Sequence, residues 1–595
     1  MWFLQDLGRL NHERGAVEAL ASANQWLDGV RWHHDGSGIA IDADIVLGDG
    51  LDHRYSVQLR FPEHYPSVLP AVRPKKPERW SSHQYGSTGD LCLELGPDNW
   101  HPDTHNAAHL LESTYRLLTL ESENDSDVDE TIPSRHELTV GQALRAQFLR
   151  WVVTPDAKQA LDALPVENSV RCELCILLHE STMTVFLQRL EHRDRDDWID
   201  PGVPSELTRL GHRSRGVVVT EPQGVLTLAS LDDPKTVTSI LERQTLPEFK
   251  DNQASSSLDA IEFVLLKGFH DEWQAHWRWK QGDKVSMCSP VDADTTSPDE
   301  RHGLEADVLK DTTVVIVGLG SAGSKIATSL TRSGVGHFVL LDDDLLHPSN
   351  LVRHDSDWFE VGQHKVDAVA DRMMLINPAA KIARRKHRLK GQESSTSAAG
   401  ALTLIGQADL IIDATANPAV FNLCAHVARH SKKPLLWLEI YAGGIGGLVA
   451  RTRPDKDAEP FTLRSAINAA ANDMAEEKGV EPPSLAQDYA AMDADDRVVI
   501  ATDADVSVMA AHACQMALDT ALAREPSHYP NPAYLVGFAR SWIFDQPFHV
   551  QPIDCSSDPD WSTVVHTDKA TRAEASAFLV ELFEEQTGDA DTKST

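Results

Sequence analysis

The spacing of apolar and polar residues changes character three times along the chain. Before residue 121, GAVEALASANQWL (15–27) has helical spacing, whereas IAIDADIVL (39–47) and YSVQLRF (55–61) read as strands. A second helical pattern follows in HNAAHLLESTYRLLTL (105–120), so the first block is predicted as helix, β-meander, helix. The middle block offers CELCILL (172–178), MTVFLQRL (183–190), GVVVTE (216–221) and VLTLAS (225–230) as strands, with little chemistry, and reads as an adaptor. From about residue 306 strand and helix alternate: TVVIVGLG, SKIATSLTRSG, FVLLDDD, KVDAVADRMMLIN, DLIIDAT and PLLWLEIYA. Such alternation predicts a parallel, doubly wound sheet.

Two stretches are too polar to enter a core, ESENDSDVDETIPS (121–134) and PVDADTTSPDERHG (290–303). They divide the chain into expected blocks of 1–120, 135–290 and 306–565, with linkers at 121–134 and 291–305 and a helix and acidic tail over 566–595. The last residues, EEQTGDADTKST, are expected to be a disordered tail. The resulting fold class is multidomain, α+β in the first two blocks and α/β in the third.

Composition narrows the functions. With 595 residues and a 41% apolar share the chain can build several cores. No uninterrupted apolar run reaches the roughly 18 residues of a membrane span, and MWFLQDLGRLNHERG acquires charge too early for a secretory leader. No membrane partner and a cytoplasmic location are therefore expected. Ninety acidic residues against 55 Lys and Arg give a formal charge of −35, which repels a phosphate backbone, so nucleic acid is not an expected partner. Seven cysteines are sparse and fit a reducing compartment. Cys172 and Cys175 form a C-x-x-C without a second pair at zinc spacing, which favours a pair buried in a strand.

The chemistry begins at VVIVGLGSAG (314–323). Gly318, Gly320 and Gly323 follow a strand and open a helix, the arrangement in which a tight turn, a close backbone approach and a helix N-terminus hold a phosphate. Asp342, at the next strand end, can bind ribose hydroxyls. This pattern alone leaves a redox dinucleotide and ATP both open. The polar string that follows favours ATP, because Asn350, Arg353 and Lys365 supply donors and cations for charge on phosphate oxygens.

Asp342, Asp344, Ser349, Asn350, Leu351, Arg353, Gly362, Lys365 and Ile376-Asn377-Pro378 match a D-x-D, S-N-L-x-R, G-x-x-K, I-N-P signature. In these residues the chain resembles the ThiF/MoeB/ubiquitin-activating superfamily over roughly 306–450. The resemblance implies ATP-dependent adenylation of the C-terminal carboxylate of a small protein. By it, Asp342 would hold ribose, Asn350 and Arg353 the phosphates, and Lys365 the developing negative charge. Where the family has D-x-x-D-N, this chain has DATAN, so Ala416 replaces the second acid and Asp413 is left as the candidate partner of Mg²⁺.

The first block carries GDLCLELGPDNWHPDTHNAAHLL (89–111), in which Cys92 is either a buried small hydrophobe or a nucleophile. Tyr65-Pro66 with Pro70, Gly89, Cys92, Trp100, Pro102, Leu110 and Leu111 resemble the ubiquitin-conjugating fold. The order Cys92, Glu94, His101, His105 resembles a bacterial subgroup of conjugating enzymes. The two histidines are candidates to act as acid or base, to orient the thiol, or to bind a metal with Cys92. The family's His-Pro-Asn is here His83-Gln84-Tyr85, so its asparagine donor is missing. Cys555, in the turn-rich QPIDCSSDPDW, is a second candidate acyl acceptor; Cys424 and Cys514 read as core.

A conjugating-type block before an adenylating block resembles the fused enzymes of bacterial ubiquitin-like operons. These include the enzyme of CBASS anti-phage operons, whose modifier is a cGAS-like nucleotidyltransferase. The expected partners are a small protein modifier, a target protein amine and, by analogy, a second copy of the chain in a homodimer. Two rivals are a stand-alone sulfur-carrier adenylyltransferase and a non-enzymatic dinucleotide-binding adaptor.

Overall fold

The computed structural model describes residues 1–123, 147–220, 234–243, 261–292, 305–389, 395–480, 490–492, 498–555, 561 and 569–588, together with 141 and 144, with short breaks at 37, 49–52, 77, 79, 81–83, 86–88, 166–167, 193–195, 268–272 and 280–283. VLTLAS, His83, residues 124–134 and 293–303 of the two expected linkers, and 589–595 of the tail lie outside the described residues. The chain folds as two compact units, Met1–Ala146 and Gln147–Thr595. No helix among the described residues is long and apolar enough to cross a membrane.

In the first unit, α1 (Leu7–Ala23) precedes an antiparallel meander of β1 (Leu27–His34), β2 (Ile39–Val46), β3 (Arg54–Arg60) and β4 (Ala71–Pro74). A short pair, β5 (Gln84–Tyr85) with β6 (Asp90–Leu91), and α2 (Ala107–Glu123) follow. Period-two alternation puts Ile41, Ala43, Ile45, Val57 and Leu59 into one core with Leu110, Leu111 and Leu117 of α2. The opposite face of β2 carries Asp42, which Arg31 and Lys75 neutralise at 3.1 and 2.9 Å. Helix α2 runs three residues into the expected acidic linker.

The second unit begins with β7 (Leu149–Val153), β8 (Asn168–Leu178), β9 (Met183–Leu190), β10 (Trp198–Ile199), β11 (His212–Thr220), β12 (Phe263–Lys267), β13 (Trp273–Arg278) and β14 (Val285–Asp292). Pairing runs β9-β7-β14-β13-β12-β11-β8 and returns from β8 to β9, so seven strands close into a barrel and β10 extends β9. Closure leaves those seven strands no open edge. Trp151, Cys172, Leu174, Val185, Phe263, Leu265 and Cys288 share one core, while α3 (Pro234–Arg243) covers the other face with Val237, Ile240 and Leu241. Cys172 and Cys175 are both buried, but three positions apart on a strand they face opposite ways; Cys175 donates to the Leu207 carbonyl at 3.4 Å. Burial pushes both thiols up. Residues 291 and 292 of the expected linker belong to β14, paired with β7.

The second half of this unit is a sheet of β15 (Thr313–Val317), β16 (His337–Leu341), β17 (Lys381–Arg385), β18 (Leu410–Asp413), β19 (Leu435–Ile440) and β20 (Gly446–Thr452), completed past the small pair β21 (Ala490–Met492) and β22 (Val498–Ile500) by β23 (Ala533–Gly537) and β24 (Val550–Ile553). Its order is β17-β16-β15-β18-β19-β20-β23-β24, the first five parallel and the rest antiparallel. The helices are α4 (Ser321–Arg332), α5 (Lys365–Ile376), α6 (Ser395–Gln407), α7 (Pro418–Ser431), α8 (Pro460–Lys478) and α9 (Asp503–Ala521). Val314 and Ile316 pack with α4, α5 and α9, and Val315 and Val317 with α6, α7 and α8, so both faces are covered. The strand order reverses between β15 and β18, and a ligand crevice belongs outside their carboxyl ends. A last helix, α10 (Lys569–Gly588), takes up the first five residues of the expected tail, and Phe578, Leu579 and Val580 on it are exposed.

Candidate active site

At that crevice the three glycines do different work. Gly318 directly follows β15 with φ +85, and a Cβ there would lie 2.6 Å from Thr415 Cγ2. A Cβ on Gly323 would lie 1.9 Å from the Gly318 carbonyl oxygen, so the turn packs against its own helix only as glycine. A Cβ on Gly320 would meet nothing within 4 Å. Gly320 is the N-cap of α4 without a side-chain cap, which leaves the amides of the first turn directed at the crevice.

The carboxylate of Asp342, at the end of β16, accepts from Leu319 N–H at 2.6 Å and from Asp344 N–H at 2.8 Å. Lys365 opens α5 and pairs with Asp344 at 2.5 Å. Burial pushes Asp344 up, but the Lys365 ammonium outweighs it and holds the carboxyl below its ordinary value. Asn350 Oδ1 accepts from His347 N–H at 3.0 Å and closes the turn Pro348–Val352, which Arg353 terminates. Gly318, Gly320, Asp342, Asp344, Asn350, Arg353 and Lys365 all line one cavity of about 660 Å³, and Gly323 supports its floor. Amides, two cations and a carboxylate at a strand end form a set that can take a polyphosphate and a ribose.

Sequence reasoning missed Ser321, His354, His387, Arg388 and Thr415, which line the same cavity. His354 directly follows Arg353 in the polar string, which was the available signal. It is 7% exposed, with Nε2 2.9 Å from the Leu319 carbonyl and Nδ1 accepting from Ser356 N–H at 3.1 Å.

Asp413 does not fit the expected Mg²⁺ role. It is 2% exposed and lies outside the cavity lining, which takes in Ala414 to Asn417 instead. Its Oδ1 accepts from Thr415 N–H at 3.0 Å and Thr415 Oγ1 at 2.6 Å, and burial pushes its carboxyl up. A buried carboxyl outside the cavity, with one oxygen occupied by the turn, is a poor ligand for a hard dication. Among the described residues no group of three or more His, Cys, Asp or Glu could hold a metal. Ala416 adopts φ +50, and Asn417 caps α7 by accepting from Ala419 N–H at 3.0 Å.

In the first unit Cys92 is 3% exposed and lines a separate cavity of about 660 Å³ with Leu69, Pro70, Leu91, Leu93 and Asp98. Glu94, His101 and His105 are not among the residues lining it. Glu94 pairs with Arg116, and His105 Nδ1 accepts from His101 N–H at 3.0 Å. The His105 ring lies 5.7 Å from that of His101, tilted, and 5.6 Å from that of His109, edge to face, and burial followed by these two neighbours pushes the His105 imidazole down. The histidines thus organise the loop before α2 rather than line the thiol's cavity. Trp100 Nε1 donates to the Pro66 carbonyl at 2.7 Å, which ties this loop to the Tyr65-Pro66 segment. Gln84 spends its side chain on backbone, donating to Gly89 O at 2.9 Å and accepting from Trp80 N–H at 2.6 Å.

Cys555 stands two residues past β24, five strands from β15. The register pairs Val536 with Val550 near the crevice and Ala533 with Ile553 at the other end, so Cys555 leaves the sheet at the edge opposite the glycine turn. At ~4.8 Å per strand the lateral offset alone is about 24 Å. This placement sets Cys555, the second candidate acyl acceptor, apart from the glycine turn. Cys424 and Cys514 are core residues, as their spacing indicated.

The ThiF family model matches residues 300–520. Molybdopterin-synthase adenylyltransferase of Escherichia coli K12 is 37% identical over 132 residues, 22% of this chain and 50% of that protein. Ubiquitin-like modifier-activating enzyme 5 of Caenorhabditis briggsae is 35% identical over 85 residues, 14% of this chain and 20% of that protein. The solved structure of Escherichia coli MccB with ATP is 16% identical with a TM-score of 0.32, covering 44% of this chain and 73% of that one. The chain spans half or less of the length of these curated relatives. Residues 300–520 are accordingly a ThiF-family domain.

Proposed function

We propose that the cleft of the ThiF-family domain binds ATP and adenylates the C-terminal carboxylate of a small protein modifier. The observation that carries this reading is the convergence of Gly320, Asp342, Asn350, Arg353 and Lys365 on one cavity at the sheet's switch point. Asp342 accepts from a ribose hydroxyl, the α4 amides and Asn350 hold phosphate oxygens, and Arg353 and Lys365 balance the charge that grows on the α-phosphate. The modifier's carboxylate oxygen attacks that phosphorus, and the bond to the bridging oxygen of pyrophosphate breaks, leaving an acyl-adenylate. Mg²⁺ bound to ATP would neutralise phosphate charge, but no protein residue is assigned to it. The similarity to an adenylyltransferase and to a ubiquitin-like modifier-activating enzyme supports a protein carboxylate as the substrate.

The second step belongs to Cys92. Its thiolate attacks the acyl carbon, AMP leaves, and the thioester then acylates a target amine with return of the thiol. The conjugating-type resemblance of residues 1–120 and the cavity beside Cys92 support this step. A setting in bacterial anti-phage defence follows from the resemblance to fused activating and conjugating enzymes and is part of the proposal. The test is incubation with ATP and small proteins encoded beside this gene, followed by intact mass with and without reductant. A modifier adduct on Cys92 that thiol removes supports the reading; ATP turnover with no protein adduct overturns the transfer step.

A further inference from the structure

We infer, resting on the reading of the cleft as an adenylating site, that its far end is a subsite for the last residue of the modifier and selects an apolar side chain there over glycine or a charged residue.

The cavity crosses the carboxyl ends of five parallel strands, from His387 and Leu389 past β17 to Leu438 and Ile440 on β19. At ~4.8 Å per strand that is about 19 Å. Its charged groups are gathered at one end: Asp342, Asp344, Arg353, Lys365 and Arg388 all follow β16 or β17. They fix the direction of a nucleotide. With phosphate on the α4 amides and ribose on Asp342, the base leaves the sugar on the side away from the phosphates, toward β17. The end at β18 and β19 is left to the second substrate, whose carboxylate has to reach the α-phosphate.

That end is walled by Ala414, Ala416, Leu438, Ile440, Ala501 and Val506. Among the described residues lining it none is charged. Its two polar side chains are engaged by the turn after β18. Thr415 Oγ1 donates to Asp413 at 2.6 Å and accepts from Asn417 N–H at 3.1 Å, and Asn417 Oδ1 accepts from Ala419 N–H at 3.0 Å. Glu439, between the two β19 residues of the wall, faces the other side of the sheet, toward Arg464 at 3.5 Å. Ala416 puts a methyl where the family has the second acid of D-x-x-D-N, which keeps this end neutral.

The α9 side of the wall is held in place. Thr502 and Asp505 bond to each other's amides in a capping box, and Asp503 pairs with Lys325 of α4 at 2.7 Å. A carboxylate at the α-phosphate therefore sets the terminal residue against aliphatic surface that is already fixed. An apolar side chain covers that surface, glycine leaves it wet, and Asp or Lys buries a charge without a partner.

The experiment follows ATP–pyrophosphate exchange by the full chain, driven by the small proteins encoded beside this gene with the last residue set to Gly, Val, Asp or Lys. The subsite predicts that kcat/KM rises at least about tenfold from Gly to Val, the worth of burying one aliphatic side chain, and that Asp and Lys fall below Gly. Ala501→Leu fills the subsite and is expected to reverse the order, so that Gly exceeds Val; should that variant melt below wild type, the wild-type series decides alone. Exchange by wild type that is as fast with Gly as with Val, or an order that Ala501→Leu leaves as it was, overturns the subsite while adenylation stands. An Ala501→Leu chain of wild-type melting that loses ATP affinity as far as exchange places the base at this end and overturns the subsite as well. ATP binding without exchange for any of these proteins overturns adenylation and the subsite together.

Discussion

Gly320 and Gly323 stand three residues apart and answer to different constraints. A methyl on Gly323 would collide with the Gly318 carbonyl at 1.9 Å, whereas a methyl on Gly320 would meet nothing within 4 Å. Gly323→Ala is therefore expected to destabilise the domain by about 2 kcal/mol or more through forced backbone movement, seen as a lowered melting temperature. Gly320→Ala is expected to melt like wild type and yet bind ATP more weakly, because the added methyl stands where a phosphate approaches. Two variants with equal melting and equal ATP binding would refute this division of labour. Ala416 illustrates strain at the same edge: at φ +50 an alanine costs roughly 1 kcal/mol that glycine avoids. Ala416→Gly is expected to raise the urea midpoint, and a lowered midpoint would show that the methyl packs usefully.

Among the elements, β20 and α9 are joined by a buried ion pair. Arg451 and Asp519 are fully buried and meet at 2.6 Å, with Ser527 and Thr520 bonded to the same guanidinium. Burial pushes Asp519 up, but hydrogen bonds from Arg451, Ser527 and the His528 amide outweigh it and hold the carboxyl below its ordinary value. A carboxyl with a depressed folded value contributes stability above its unfolded value, about 3.9, and loses it as pH falls through the folded value. Acid unfolding of this unit is thus expected to set in below about pH 4. Asp519→Asn should remove that acid dependence and cost about 3–5 kcal/mol by leaving Arg451 buried without its counter-charge. Thermal melts of both proteins across the acid range test this, and superimposable curves would contradict it. Since α9 also supplies Val506 to the cleft wall, loss of the pair should weaken ATP binding as well.

The same scale shows what the sequence could tell. Strands β15, β16, β18 and β19 were legible because each is a short apolar run between turn formers, and both faces of their sheet are covered. The donors Asp342, Asn350, Arg353 and Lys365 were legible because they fall in one string whose ends the sheet topology brings to one edge. The barrel was not legible: β7 pairs with β14, over 130 residues later, and period-two patterning carries no information about such partners. Asp413 failed for a related reason. Its place at a strand end was readable, but whether its carboxylate faces the crevice or caps Thr415 depends on the turn that follows. Cys555 sits in a polar setting that suggested reactivity, yet the antiparallel return of β23 and β24 carries it to the far edge.

For the whole molecule, the glycine-turn cleft and Cys92 reside in different compact units of one acidic chain. Joining two sites in one chain raises the effective concentration of one for the product of the other, without any new contact. Cys92→Ala is accordingly expected to retain ATP–pyrophosphate exchange while losing the thiol-labile adduct, and Cys555→Ala is expected to load Cys92 as wild type does. Loss of loading in Cys555→Ala would restore that thiol to the pathway despite its position.

The glycine turn is expected to hold ATP and not a redox dinucleotide. Calorimetric titration of ATP and of NAD into the full chain, repeated with Arg353→Ala and Lys365→Ala, tests it most directly. ATP is expected to bind, NAD not to compete, and each substitution to weaken ATP at least about tenfold without lowering the melting temperature. NAD binding in preference to ATP, or ATP binding indifferent to both substitutions, would contradict it.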